Sequence, residues 1–159
     1  MSHIGFQGLS SIAVALDGSP LSNSALPMAK GLARAFHSRL LLVSILDDAV
    51  NERFAEFATA EGMDLLEAVR AYQDKIISDL REEGLPAAGH VLPLREGTTA
   101  DAIRKVIENL SASLLIVGSQ SRSGMKRVVL GSVAQELIRG GHVPVLVVKP
   151  SAAEALASA

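Results

Sequence analysis

The sequence predicts one α/β domain, a five-stranded parallel sheet with helices on both faces, and three observations predict it. Several apolar runs of strand length show no polar alternation, as in strands buried on both sides. Between them lie stretches whose apolar residues recur every three or four positions, so the order reads βαβαβαβαβ, and right-handed crossovers then put helices on both faces. The chain is 48% hydrophobic but only 3% aromatic, with no Trp and one Tyr. Its core is therefore built from Leu, Ile, Val and Ala, which suit sheet and helix layers.

Ser11-Ile-Ala-Val-Ala-Leu16 is the first strand, stopped by Asp17-Gly18. Ser19-Pro20 reads as an N-cap followed by proline at the first helical position, where a missing N–H costs nothing. Leu21, Ala25, Met28, Leu32 and Phe36 mark one face of a helix over 20–36. Pro27 removes one backbone bond from it, predicting a kink or loosened turn near Asn23. Leu40-Leu-Leu-Val-Ser-Ile-Leu46 is the second strand, and Asp47-Asp48 opens a polar stretch leading to a helix over 64–83, which stops before Gly84 and Pro86. Val91-Leu-Pro-Leu94 is a third strand whose proline assigns it to an edge. Thr98 or Thr99 caps a helix carrying Ala102, Ile103, Val106, Ile107 and Leu110; Leu114-Leu-Ile-Val117 is the fourth strand. A polar, basic loop over 119–130 leads to a short helix over 132–139 and a last strand, Val143-Pro-Val-Leu-Val-Val148. The domain spans 1–150, and 151–159 is a separable Ala/Ser-rich tail without a packing face.

Fifteen Lys and Arg against seventeen Asp and Glu leave a net charge of −2. That balance lacks the basic excess of a nucleic-acid footprint, and the shortage of aromatics argues against base stacking. No apolar run approaches the roughly 20 residues of a membrane span, and the absence of Cys excludes disulfides, thiolate metal sites and a cysteine nucleophile. A cytoplasmic protein is expected.

In open parallel sheets ligands bind beyond the carboxyl ends of the strands, where the winding reverses. The segment 118–132 joins Gly118, Gly124 and Gly131 to the hydroxyls of Ser119, Ser121, Ser123 and Ser132 and the cations Arg122, Lys126 and Arg127. Such a loop running into a helix N-terminus offers bare N–H groups to a phosphate. The alternative is that the glycines only make turns and Ser132 to Gln135 forms a capping box. Asp17 either bonds its own turn or, being repelled by phosphate, meets hydroxyl or amino donors such as ribose or adenine offers. Asp47 and Asp48 could recruit Mg2+, but paired acids opening a loop are read as solvated. His3, His37, His90 and His142 are scattered without ligand spacing. No Gly-x-Ser-x-Gly elbow or Walker loop is present.

These residues resemble the universal stress protein family over residues 11–149, with Val14-Ala-Leu-Asp-Gly-Ser19, Val117-Gly-Ser119 and Val129-Leu-Gly-Ser-Val133 as the matching motifs. Its nucleotide-binding members carry glycine, two residues, glycine, nine residues, then glycine and Ser or Thr; here Ser121 replaces the second glycine at intact spacing. The resemblance implies a Rossmann-like fold of the adenine nucleotide alpha hydrolase type, strand order 3-2-1-4-5, and ATP, AMP or ADP as ligand, with or without Mg2+. It implies contacts from Ala15, Leu16 and Asp17 to the ribose and adenine region and from the Ile45 backbone to the adenine edge. The phosphates would meet Gly118, Ser119, Ser121, Arg122, Gly124, Gly131, Ser132 and Val133. It also implies a homodimer through the last strand and a stress-response role in which nucleotide occupancy sets conformation or partner choice. The alternative is a family member that binds no nucleotide and acts as a dimeric interaction protein. No base or arginine finger is identifiable, which leaves slow hydrolysis or self-phosphorylation open.

Overall fold

The computed structural model describes residues 8–119 and 130–150. In chain order the elements are β1 (Ser11–Ala15), α1 (Pro20–Asn23), α2 (Leu26–Phe36), β2 (Arg39–Leu46), α3 (Asp48–Glu61) and α4 (Leu65–Glu82). They continue with β3 (Ala87–Pro93), α5 (Thr99–Asn109), β4 (Leu114–Gly118), α6 (Ser132–Arg139) and β5 (Val145–Val148). The five strands form one parallel sheet in the order β3-β2-β1-β4-β5. β1 pairs with β2 on one side and β4 on the other, so the winding reverses between β1 and β4.

Apolar residues fill both faces, which is why the strand sequences do not alternate. Ile12, Val14, Leu40, Leu42 and Ile116 pack with Ala29 and Ala33 of α2 and with Ile77 and Leu80 of α4. Ala13, Leu41, Val43, Leu115 and Val117 pack with Ile103 and Ile107 of α5 and Leu137 of α6. Phe54 and Val50 of α3 join Ala68 and Val69 of α4 in a third cluster.

Four elements differ from the sequence reading. The helix expected over 20–36 is two: α1 ends at Asn23 and α2 starts at Leu26, because Pro27 has no N–H to give the Asn23 carbonyl. The stretch after Asp48 is a helix, α3, capped by Asp47, whose Oδ1 accepts from Val50 N–H at 2.9 Å, and ended by Gly62 at φ 65°. β3 begins at Ala87 and ends at Pro93, at the sheet edge as expected. Leu40 N–H donates to the Pro86 carbonyl and Leu94 N–H to that of Leu46, so even-numbered residues of β3 face β2. Pro93 therefore turns its missing N–H to the open edge, where none is needed. β5 is also shorter than the run that suggested it, starting at Val145.

Gln73 of α4 is buried; its Nε2 donates to Ser44 Oγ at 2.8 Å and to the His90 carbonyl at 3.2 Å. It ties α4 to β2 and β3 together. No described helix is long and apolar enough to cross a membrane.

Candidate functional site

A cleft opens at the carboxyl ends of β1, β2 and β4, at the reversal. Of the residues singled out in the sequence, Ala15, Leu16, Asp17, Ile45, Gly118, Gly131, Ser132 and Val133 line it. Ser119 does not; it is buried beside the cleft, its N–H donates to the Val148 carbonyl at 2.8 Å and its hydroxyl has no hydrogen-bond partner among the described residues. Ser121, Arg122 and Gly124 lie outside the described residues, as do Ser123, Lys126 and Arg127.

Asp17 follows β1 directly. Its Oδ1 accepts from Ser19 N–H at 2.8 Å, and its own N–H donates to Ser22 Oγ at 3.2 Å. Ser19 caps α1 by accepting from Ser22 N–H at 3.1 Å. Arg53 Nη1 of α3 donates to the Asp17 carbonyl at 2.7 Å and stands 3.6 Å from Oδ1. Burial opposes ionisation of Asp17, but the Ser19 and Ser22 hydrogen bonds and the Arg53 charge outweigh it and hold the carboxyl below its ordinary value. The turn bond leaves acceptor positions open, since it uses Oδ1 and a carboxylate has about four of them. Tyr72 stands behind this group, donating to Asn23 Oδ1. Burial first, and the Asp17 charge second, push its phenol up to about 12.

At the opposite wall, Gly131 rather than Ser132 occupies the N-cap position of α6, with no side-chain cap. The capping box weighed as the alternative is not made: Gln135 Nε2 donates to the Leu130 carbonyl at 2.7 Å instead. The first bond within α6 is Gln135 N–H to the Gly131 carbonyl. The N–H groups of Ser132, Val133 and Ala134 therefore have no acceptor in their own helix, and all three residues line the cleft. The helix dipole adds positive potential at that point.

Gly118 has a packing explanation. A Cβ there would collide with the Leu21 carbonyl oxygen and come within 3.1 Å of its carbon and 3.4 Å of Ser22 Cα. Bare glycine lets α1 close against β4.

Ile45 presents backbone. The Val43 carbonyl accepts from Leu16 N–H at 2.9 Å, and polar groups alternate sides along a strand. The Ile45 edge therefore turns the same way, into the gap left where β1 has ended.

Sequence reasoning missed part of the lining. Asp47, read as solvated, caps α3 and also accepts from Thr99 Oγ1 through Oδ2 at 2.7 Å. Both residues line the cleft, with Val43, Val50 and Ile103 around them. The signal for Asp47 was an Asp three residues before Val50, at N-cap spacing; Thr99 becomes a partner only through tertiary packing. Among the described residues no group of three His, Asp or Glu side chains is placed to hold a metal.

Comparison with known proteins agrees with this architecture. The family model described as the universal stress protein family matches residues 9–149. A universal stress protein of Thermus aquaticus, named for its place in the 3′ region of a QAH/OAS sulfhydrylase, is 30% identical over 141 residues, 87% of this chain and 97% of its own. Among solved structures, the hypothetical protein MJ0577 superposes with a TM-score of 0.70 at 24% identity, over 90% of this chain and 97% of that one. A universal stress protein in complex with cAMP superposes with a TM-score of 0.55 at 22% identity, over 91% of this chain and 99% of that one.

Proposed function

The chain belongs to the universal stress protein family, and from that premise we propose that it binds an adenine nucleotide, ATP, ADP or AMP, and responds to occupancy by changing conformation or partner. The observation that carries this reading is one cleft with an ionised acceptor, Asp17, on one wall and the uncapped N-terminus of α6 on the other. A ribose hydroxyl suits the first and a phosphate the second, while phosphate would be repelled by the first. The purine would lie between Val43, Ile45, Val50 and Ile103, with the Ile45 N–H at its edge. Ala15, Leu16 and Gly118 would floor the site; Gly131, Ser132 and Val133 would offer N–H groups to phosphate, with Ser121, Arg122 and Gly124 assigned to the same end. The fold neighbour in complex with cAMP supports an adenine ligand. The role is binding rather than fast turnover, in a cytoplasmic homodimer joined through β5, which stands at the sheet edge.

The experiment is to denature the purified protein, chromatograph what it releases, and titrate ATP calorimetrically with and without Mg2+. Co-purifying adenine nucleotide or binding heat is expected; neither appearing refutes the reading. Gly131→Val should abolish binding and keep the fold, since φ −63° and ψ 160° suit a β-branched residue. The second reading, a dimer that binds no nucleotide, is favoured by one observation: packing against Leu21 already accounts for Gly118.

A further inference from the structure

The side of the cleft built by β2, α3 and α5 is lined by Val43, Ile45, Val50 and Ile103 and by two polar side chains, Asp47 and Thr99. Pockets of this kind fix a ligand's orientation through a few placed polar groups on apolar walls. Resting on the proposed adenine-nucleotide site, we propose that Asp47 is its specificity-determining residue. It accepts a hydrogen bond from the 6-amino group of the purine and thereby selects 6-aminopurines over 6-oxopurines.

Both carboxylate oxygens of Asp47 are engaged. Oδ1 is held by Val50 N–H at 2.9 Å as the cap of α3, and Oδ2 by the Thr99 hydroxyl at 2.7 Å. Two contacts fix the plane of the group and leave acceptor positions on Oδ2, since a carboxylate can take about four donors. Thr99 is a positioning residue: it orients Oδ2 without reading the base itself. Asp47 lies two residues beyond Ile45, whose backbone edge faces the gap left by β1, so the two stand together where β2 enters the cleft, beside Val43, Val50 and Ile103. An amino group there gains a charge-assisted bond. A 6-carbonyl would set acceptor against acceptor on apolar walls, the arrangement that rejects a wrong ligand most strongly.

The cap supplies a clean test. In Asp47→Asn the side-chain oxygen is still required by Val50 N–H, and Asn caps as well as Asp. Its NH2 then replaces Oδ2, turning an acceptor into a donor at that point. Dissociation constants for ATP, ITP and GTP are measured by calorimetry on the full chain, unaltered and carrying Asp47→Asn or Thr99→Val. The unaltered chain should prefer ATP over ITP by about tenfold or more, the scale of one hydrogen bond to a charged group. Asp47→Asn should bring that ratio to about one or invert it, and Thr99→Val should lower it part way. A 6-dimethylamino analogue of ATP, which has no amino donor, should bind the unaltered chain about tenfold more weakly than ATP, and this arm needs no variant to fold. An ATP-to-ITP ratio within twofold of one, GTP binding tighter than ATP, a ratio unmoved by Asp47→Asn, or an analogue that binds like ATP overturns the assignment of Asp47 alone. Absence of binding to every nucleotide overturns the proposed function and this assignment with it.

Discussion

Replacing Gly118 by Ala should destabilise the ligand-free protein, and the size of the loss follows from what the added methyl meets. It would strike the Leu21 carbonyl oxygen and approach the Leu21 carbon at 3.1 Å and Ser22 Cα at 3.4 Å, all main-chain atoms that cannot rotate away. α1 would have to lift from β4. The Leu21 carbonyl also accepts from the buried Ser24 hydroxyl at 2.6 Å, so the displacement disturbs a second contact. Overpacking costs about 1 to 3 kcal/mol, and a collision with backbone belongs at the upper end, about 2 to 3 kcal/mol. For a domain of this size that is roughly 4 to 12 °C in Tm. Calorimetric melting of ligand-free protein, checked by urea titration followed by circular dichroism, reads it directly. Nucleotide affinity should fall too, because Ser19, the cap of α1, and Ser22 within it hold Asp17. If the ligand-free Tm moves by less than about 1 °C while nucleotide binding is lost, the glycine serves phosphate approach and the packing argument is wrong.

Gln73→Ala should cost about 2 to 4 kcal/mol in urea denaturation, since it opens a cavity and removes the donor from buried Ser44 Oγ; a loss below about 1 kcal/mol would refute the pin between α4 and the strands. Asp17 ionises below its ordinary 3.8 in the folded chain, so its contribution is fully present above that value and fades as pH falls through the lower folded one. Asp17→Asn should therefore flatten the acid limb of the stability–pH curve read by thermal melts, and an unaltered limb contradicts the assignment. The Pro144 and Val148 carbonyls accept from Leu115 and Ser119 N–H, so even-numbered residues of β5 face β4 and Val147 turns its N–H outward. Val147→Pro should abolish a dimer joined through β5 in analytical ultracentrifugation while leaving the monomer folded; a dimer that survives it is joined elsewhere.

The sheet was legible because a strand buried on both faces writes itself as an unbroken apolar run, as at 11–16, 40–46 and 114–117. β3 was half-legible. As an edge strand it needs apolar residues chiefly on one face, and Ala87, Gly89 and His90 make a weak signal. α3 was not read because only Val50, Phe54 and Ala58 of its residues are buried, one side chain per turn on an otherwise polar helix. Its cap was in plain view at Asp47, but an Asp-Asp pair after a strand also suits a solvated turn, and local spacing does not separate the two. Of the cleft, Asp17, Gly131 and Ser132 could be found because strand ends mark where ligands sit. Thr99 could not, since it meets Asp47 only after β3 has placed α5 across the sheet.

Pro27 connects these levels. By withholding an N–H from the Asn23 carbonyl it separates α1 from α2, and Asn23 instead accepts a bond from Tyr72 through its side chain. α2 can then pack Ala29 and Ala33 flat on β1 and β2, while the four residues of α1 take their own direction towards β4. That independence brings Leu21 against Gly118 and wraps Ser19 and Ser22 around Asp17. A continuous helix over 20–36 would have to satisfy both demands with one axis. The same proline that looks like a defect in a helical pattern thus sets the cleft wall, and the absent side chain of Gly118 is its counterpart on the strand.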